Sequence, residues 1–170
     1  QRPTISEDWL TVGIAFVAIG LVLAAIWPPL PTFSWATADD LASRIFGPQN
    51  LQRSVIAGMA LGVLAGAGAW LMQASLTRFV AGFGVVYTLT WLAQMIAGGT
   101  VVSAWGIEYV IFALMLGLFV SNVIGVPAWL REAARSEYYI KTGLVILGTS
   151  ILFSDLMQAG LLGLAQAVLV

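Results

Sequence analysis

Four long apolar runs, separated by short polar or proline-broken stretches, organise this chain: Trp9 to Trp27, Ser54 to Met72, Phe79 to Ala97 and Tyr109 to Val126. Each has close to the 20 or so consecutive apolar residues that a helix needs to cross a hydrocarbon core about 30 Å thick. The runs are continuous rather than alternating, which sets aside a membrane barrel. In lipid every backbone polar group must be paired within its own element, so helices are the remaining solution. The pattern predicts an all-α, polytopic transmembrane helix bundle, with residues 1–170 forming a single transmembrane domain.

Between the first two runs the chain changes character. Trp27-Pro28-Pro29-Leu30-Pro31 cannot be helical throughout, because proline removes donors and restricts the residue before it. Thr37-Ala38-Asp39-Asp40 is a helix-start signature, Leu41 and Ile45 follow at i,i+4 spacing, and Gly47-Pro48 ends the element. With Phe33, Trp35 and Phe46 available for an apolar face, residues 37–47 read as a short amphipathic helix lying along the interface, or as a plain connecting loop.

After Glu137 the regularity fails. The uninterrupted apolar stretch Thr142 to Phe153 holds twelve residues, about 18 Å of helix, too short to span alone. Lys141 stands at one end and Asp155 at the other. Two structures fit. In one, Lys141 snorkels to the interface and a single helix from Tyr138 to Met157 crosses. In the other, the chain breaks around Gly148 to Ser154 and leaves a half-helix end at mid-membrane. Leu156 to Val170 begins a sixth segment. The opening at Gln1 and the apolar run still continuing at Val170 suggest part of a longer chain, a fragment or half of a larger bundle.

Composition narrows function. Hydrophobic residues make up 60% of the chain and charged residues 9%, far from the balance of a soluble domain. The few basic residues are dispersed, so nucleic acid is not an expected partner. Neither cysteine nor histidine occurs. That removes thiolate nucleophiles, the commonest general base and the usual zinc or haem ligands, so no enzyme activity, metal or cofactor is expected. Acids at Glu7 and Asp8 and the length of the first run exclude a cleaved secretory signal.

Trp9, Trp27, Trp70, Trp105 and Tyr109 flank the runs as interfacial anchors. Arg2, Arg78, Arg131, Arg135 and Lys141 fall on one side, whereas Arg44 and Arg53 fall on the other. A cytoplasmic amino terminus is therefore expected. Gly58, Gly62 and Gly66 repeat every four residues and predict a close helix–helix contact, either inside one bundle or at a dimer face.

Ser121-Asn122-Val123-Ile124-Gly125-Val126-Pro127 and Glu137-Tyr138-Tyr139-Ile140-Lys141-Thr142-Gly143-Leu144-Val145-Ile146-Leu147-Gly148 resemble the YeiH-like family of conserved bacterial membrane proteins, whose name assigns them sulfate export. The Ser6-Glu7-Asp8-Trp9 start and the long proline-containing first loop are similar to its longer members. The resemblance implies a secondary transporter of many helices in two related halves. Its partners would be lipid and further transmembrane helices, from a second half, a homo-oligomer or a larger complex. The competing expectation is a non-transporting accessory subunit packed in a larger membrane assembly.

Under the transport reading, Asn122, Lys141, Thr142, Gly148, Thr149, Ser150 and Asp155 are the candidate substrate- or ion-binding positions. Each has a simpler reading beside it. Asn122 serves as an interhelical hydrogen bond, the hydroxyls bond their own helix backbone, Lys141 sets orientation, and Asp155 anchors at the surface. At mid-depth Asp155 would instead couple transport to protons or sodium.

Overall fold

The computed structural model describes residues 6–134 and 137–149. Among these the chain is helical, with one isolated parallel bridge between Trp35 and Gly99. The helices are α1 Glu7–Leu23, α2 Ala38–Asp40 continued by a π-turn Leu41–Ile45, α3 Pro48–Leu71 and α4 Leu76–Ala97. They continue as α5 Thr100–Ala104, α6 Tyr109–Phe119 continued by a second π-turn Val120–Ile124, and α7 Ala128–Ala133. Residues 137–149 form a further helix, α8. The chain divides into two compact units, Gln1–Ala25 with Ser136–Val170, and Ile26–Arg135.

In the first unit, Ser6 caps α1 by accepting the Trp9 N–H. Ala25 takes a positive φ of 55°, and the helix has already ended at Leu23 rather than running to Trp27. The proline pair beyond forbids further helical hydrogen bonding, and the residue before a proline is pushed out of the helical region. Thr11 is buried and its hydroxyl donates to the Asp8 carbonyl at 2.7 Å. Ile14, Ala15 and Ala18 share its buried face. On α8, Tyr138 is buried and meets Tyr139 edge-on at 5.2 Å.

In the second unit lie α3 and α4, the two helices among the described residues that are long and apolar enough to cross a membrane. The first and fourth expected spans are shorter as helices, at Asp8–Leu23 and Tyr109–Ile124. Their 16 residues each correspond to about 24 Å of rise, less than a full hydrocarbon core. In the fourth, the π-turn at Val120–Ile124 and Gly125, with φ of 82°, stop the helix before Val126. Gly125 has the conformation that only glycine adopts without strain.

Helices α3 and α4 pack through an antiparallel register legible residue by residue. A Cβ placed on Gly58 would lie 2.7 Å from the Tyr87 ring, one on Gly62 would lie 3.0 Å from the Phe83 ring, and one on Gly66 would lie 3.8 Å from the Phe79 ring. Glycines descending α3 thus meet aromatics ascending α4, each at four-residue spacing. The rings themselves stack, Phe79 on Phe83 at 6.1 Å and Phe83 on Tyr87 at 6.0 Å. Small residues allow the close approach, and the rings fill the groove they leave.

Candidate functional site

The polar chemistry of the second unit gathers at the start of α3. Proline at its first position fixes φ without forfeiting a helical donor, so the helix begins at Pro48, six residues before the apolar run. This places the polar turn Gln49 to Arg53 on a regular helix and turns Asn50 inward. Asn50 is buried and uses its whole amide: Oδ1 accepts from the Thr32 N–H at 2.8 Å and the Thr32 hydroxyl at 3.3 Å. Its Nδ2 donates to the carbonyls of Thr32 at 3.0 Å and Ile45 at 3.1 Å. One side chain therefore ties the proline-rich loop and the end of the π-turn to α3.

One turn on, buried Ser54 donates to the Asn50 carbonyl and accepts from the Trp91 indole at 3.0 Å. The Tyr87 hydroxyl donates to the Ser54 carbonyl at 2.6 Å. The Phe33 and Phe46 rings both meet Trp91, at 5.7 and 5.6 Å. The Trp35 indole donates to the Met95 carbonyl at 2.8 Å, and its backbone bonds Gly98 and Thr100. The first loop is thus bolted onto the ends of α3 and α4 by backbone and aromatic contacts. Of the apolar face expected on residues 33–46, all three aromatic members contact α4 or the turn that follows it.

Thr37 caps α2 by accepting the Asp40 N–H at 3.2 Å. The Asp40 carboxylate accepts from the Ala36 N–H at 3.3 Å and pairs with Arg44 at 3.0 Å. The Ala36 bond, with Arg44 and the Thr37 groups, holds Asp40 below its ordinary value of 3.8 against a smaller opposing effect of burial. A depressed folded pKa contributes stability above the unfolded value and loses it as pH falls through the folded one. Protection factors across residues 36–45, taken relative to the intrinsic exchange rate at each pH, are therefore expected to fall as pH drops through 3.8 and below. Asn in place of Asp40 should exchange faster at neutral pH and lose that pH dependence.

Outward of Asn50 lies a cleft of about 460 Å³ lined by Thr32, Ser43, Arg44, Gly47, Pro48, Gln49, Asn50 and Arg53. Among the described residues no group of three or more carboxylate, histidine or thiol side chains could hold a metal ion.

Comparison with known proteins gives three informative relatives. The chain is 47% identical over 92 residues to a UPF0324 membrane protein of Rhodopirellula baltica, an alignment covering 54% of this chain and 17% of that protein. It is 35% identical over 109 residues to one from Nitratidesulfovibrio vulgaris, covering 64% and 19%. A third, from Nitrosomonas europaea, is 23% identical over an alignment of 184 positions that covers 91% of this chain and 38% of the relative. These are bacterial proteins named for the membrane, and α3 and α4 have the length and apolarity to span one. The chain is an integral membrane protein. It covers well under half the length of each of these relatives. Neither a family model nor a solved structure matches it.

The described positions singled out in the sequence are divided between the two units, Asn122 in the second and Lys141, Thr142, Gly148 and Thr149 in the first. Asn122 sits exposed in the second π-turn and donates to the Leu118 carbonyl at 2.8 Å. Lys141 is engaged by two carboxylates, Asp8 at 2.7 Å and Glu137 at 3.5 Å. Those partners are exposed, so solvent screening leaves the cluster little weight in stability. Thr142 donates to the Tyr138 carbonyl, and Thr149 to those of Val145 and Ile146. Gly148 lies within α8, with open space where a Cβ would stand. The helix is continuous as far as Thr149. Ser150, Asp155 and the start of a sixth segment lie outside the described residues.

Sequence reasoning assigned nothing to Asn50, Ser54, Tyr87 or Trp91. Asn50 and Ser54 stand at i,i+4 on one helical face, a pairing visible once α3 is allowed to start at its proline. Their partners on the first loop and on α4, Thr32 and Trp91, lie 18 and 37 residues away.

Proposed function

We propose that this chain forms part of a longer, multi-helix protein of the bacterial inner membrane that moves a small, sulfate-like anion by alternating access and performs no enzymatic step. The observation that supports it most directly is the similarity to UPF0324 membrane proteins several times longer than the matched region. The resemblance at residues 121–127 and 137–148 to the YeiH-like family points the same way. In this reading four spans cross the membrane, the amino terminus is cytoplasmic, and the Gly58–Gly62–Gly66 contact makes α3 and α4 a rigid scaffold. Asn122, Lys141 and Asp155 are the first positions to test for substrate or coupling-ion contact.

Reconstitution of the full-length protein into liposomes with an outward sulfate gradient tests the proposal. Counterflow of labelled sulfate above that of empty vesicles is expected, reduced in Asn122→Ala, Lys141→Gln and Asp155→Asn. Flux no greater than in empty vesicles would overturn it. One observation favours an accessory role instead: Asn122, Thr142 and Thr149 donate to their own helix backbones, and Lys141 is already ion-paired. Absence of flux together with stable co-purification in a larger membrane complex would establish that second reading.

A further inference from the structure

The Arg44–Arg53 cleft has no part in the transport reading, and its chemistry is distinctive. Arg44 approaches Asp40 with its Nε at 3.0 Å and its side chain stays 68% exposed, so a guanidinium with five N–H donors keeps capacity for a further oxyanion. Arg53 is exposed on the first turns of α3 and its side chain has no ion pair or hydrogen bond among the described residues. No acidic side chain lines the cleft. The Thr32 and Asn50 polar atoms on its wall are committed to each other and the Ser43 hydroxyl to the Asp39 carbonyl, which leaves the two guanidinium groups, with the neutral Gln49 amide beside them, as its free donors. Such a lining selects an oxyanion, since guanidinium pairs phosphate through directed N–H donors.

What lies next along the helix narrows the class. Immediately past Arg53, the side chains of Val55, Ile56, Met59 and Val63 are apolar and exposed along α3. A cationic cleft therefore opens at the level where the polar turns of a membrane-length helix give way to uncovered apolar surface. That order of chemistry, phosphate-binding donors followed by a hydrocarbon-compatible face, is the order within a phospholipid. We infer that the cleft is a specific site for the headgroup phosphate of an anionic phospholipid, whose acyl chains lie along α3 beside Val55, Ile56 and Met59. Arg44 and Arg53 hold the phosphate, and the Asn50 clamp fixes the loop that carries the cleft's far wall. The site stands independently of whether the protein transports an anion.

The test uses the full-length protein in detergent, with phosphatidylglycerol or phosphatidylcholine added and adducts counted by native mass spectrometry. Phosphatidylglycerol adducts are expected to exceed phosphatidylcholine adducts. They should fall about fivefold in Arg44→Gln and again in Arg53→Gln, persist in Arg53→Lys, and be unchanged in Arg131→Gln. Equal phosphatidylglycerol retention by the wild type and the Arg44→Gln/Arg53→Gln pair would overturn the site. A photoactivatable phosphatidylglycerol on the wild-type protein gives a readout that needs no variant: labelling within residues 44–59 is expected, and labelling confined elsewhere would overturn it. Inorganic phosphate shares the headgroup's chemistry. Thermal stabilisation by inorganic phosphate without phosphatidylglycerol retention would identify a free anion as the occupant and overturn the lipid assignment.

Discussion

Asn50→Asp is expected to destabilise the protein more than Asn50→Ala, although aspartate has nearly the same shape. Asn50 donates to two carbonyls and accepts from two donors, all on the Thr32 loop and at Ile45. Alanine leaves those groups without partners in a partly buried setting, at a cost of about 3 kcal/mol for the set, since each buried group stranded this way costs about 1–3 kcal/mol before water compensates. Aspartate keeps the acceptor and turns both donating contacts into carboxylate–carbonyl repulsions, with a charge in a poorly hydrated position. The measurement is thermal unfolding in detergent, paired with limited proteolysis of residues 26–37. Early cleavage in that loop at temperatures where α3 and α4 remain intact is the expected pattern. Equal melting of Asn50→Asp and wild type would mean that the clamp contributes nothing.

The second large effect is at the glycine ladder, and it is graded. Gly58→Ala would press a methyl group to 2.7 Å from a Tyr87 ring that cannot easily retreat, because its hydroxyl is tied to the Ser54 carbonyl at 2.6 Å and its face stacks on Phe83. Overpacking of this kind costs about 1–3 kcal/mol. Gly66→Ala meets Phe79 at an ordinary 3.8 Å, so the helical preference of alanine should leave stability unchanged or raised by up to about 1 kcal/mol. Gly62→Ala, at 3.0 Å from a Phe83 ring that is stacked on both neighbours but held by no hydrogen bond, falls between. A double-mutant cycle adds a sharper reading: Tyr87→Phe releases the tether, so the cost of Gly58→Ala should shrink in that background. Identical costs at Gly58 and Gly66 would show that the ladder does not set the α3–α4 contact.

These two predictions mark where sequence and structure part. The glycine stripe was visible at 58, 62 and 66; the aromatics at 79, 83 and 87 have the same four-residue spacing along one helical face but were not singled out. Which stripe meets which, and in what direction, was not visible. Pairing Gly58 with Tyr87 rather than with Phe79 requires the antiparallel register that only packing supplies. The candidate positions near the end of the chain tell the complementary story. Hydroxyls at Thr142 and Thr149 were flagged as possible ligands, yet their nearest acceptors are the carbonyls three and four residues back on their own helix. That geometry is local and always within reach. Lys141 was read as a candidate anion contact or an orientation-setting cation; Glu137, four residues back, is within local reach, but its nearer partner Asp8 stands 133 residues away, a distance no local pattern can cross.

Apolar run length and period fixed the helical class, the membrane as solvent and the approximate positions of the helices, because those follow from backbone satisfaction and hydrophobic transfer along contiguous residues. The helix start at Thr37 and the stop at Gly125 were also local, being properties of a capping hydroxyl and of a glycine at positive φ. Tertiary structure alone decided that the first loop is clamped through Thr32 and Trp35 onto two helices. It also decided that Arg44 and Arg53 face one cleft. Each of these depends on groups far apart in sequence finding hydrogen-bond partners or ring contacts at angstrom distances, and that information exists only once the chain has folded back upon itself.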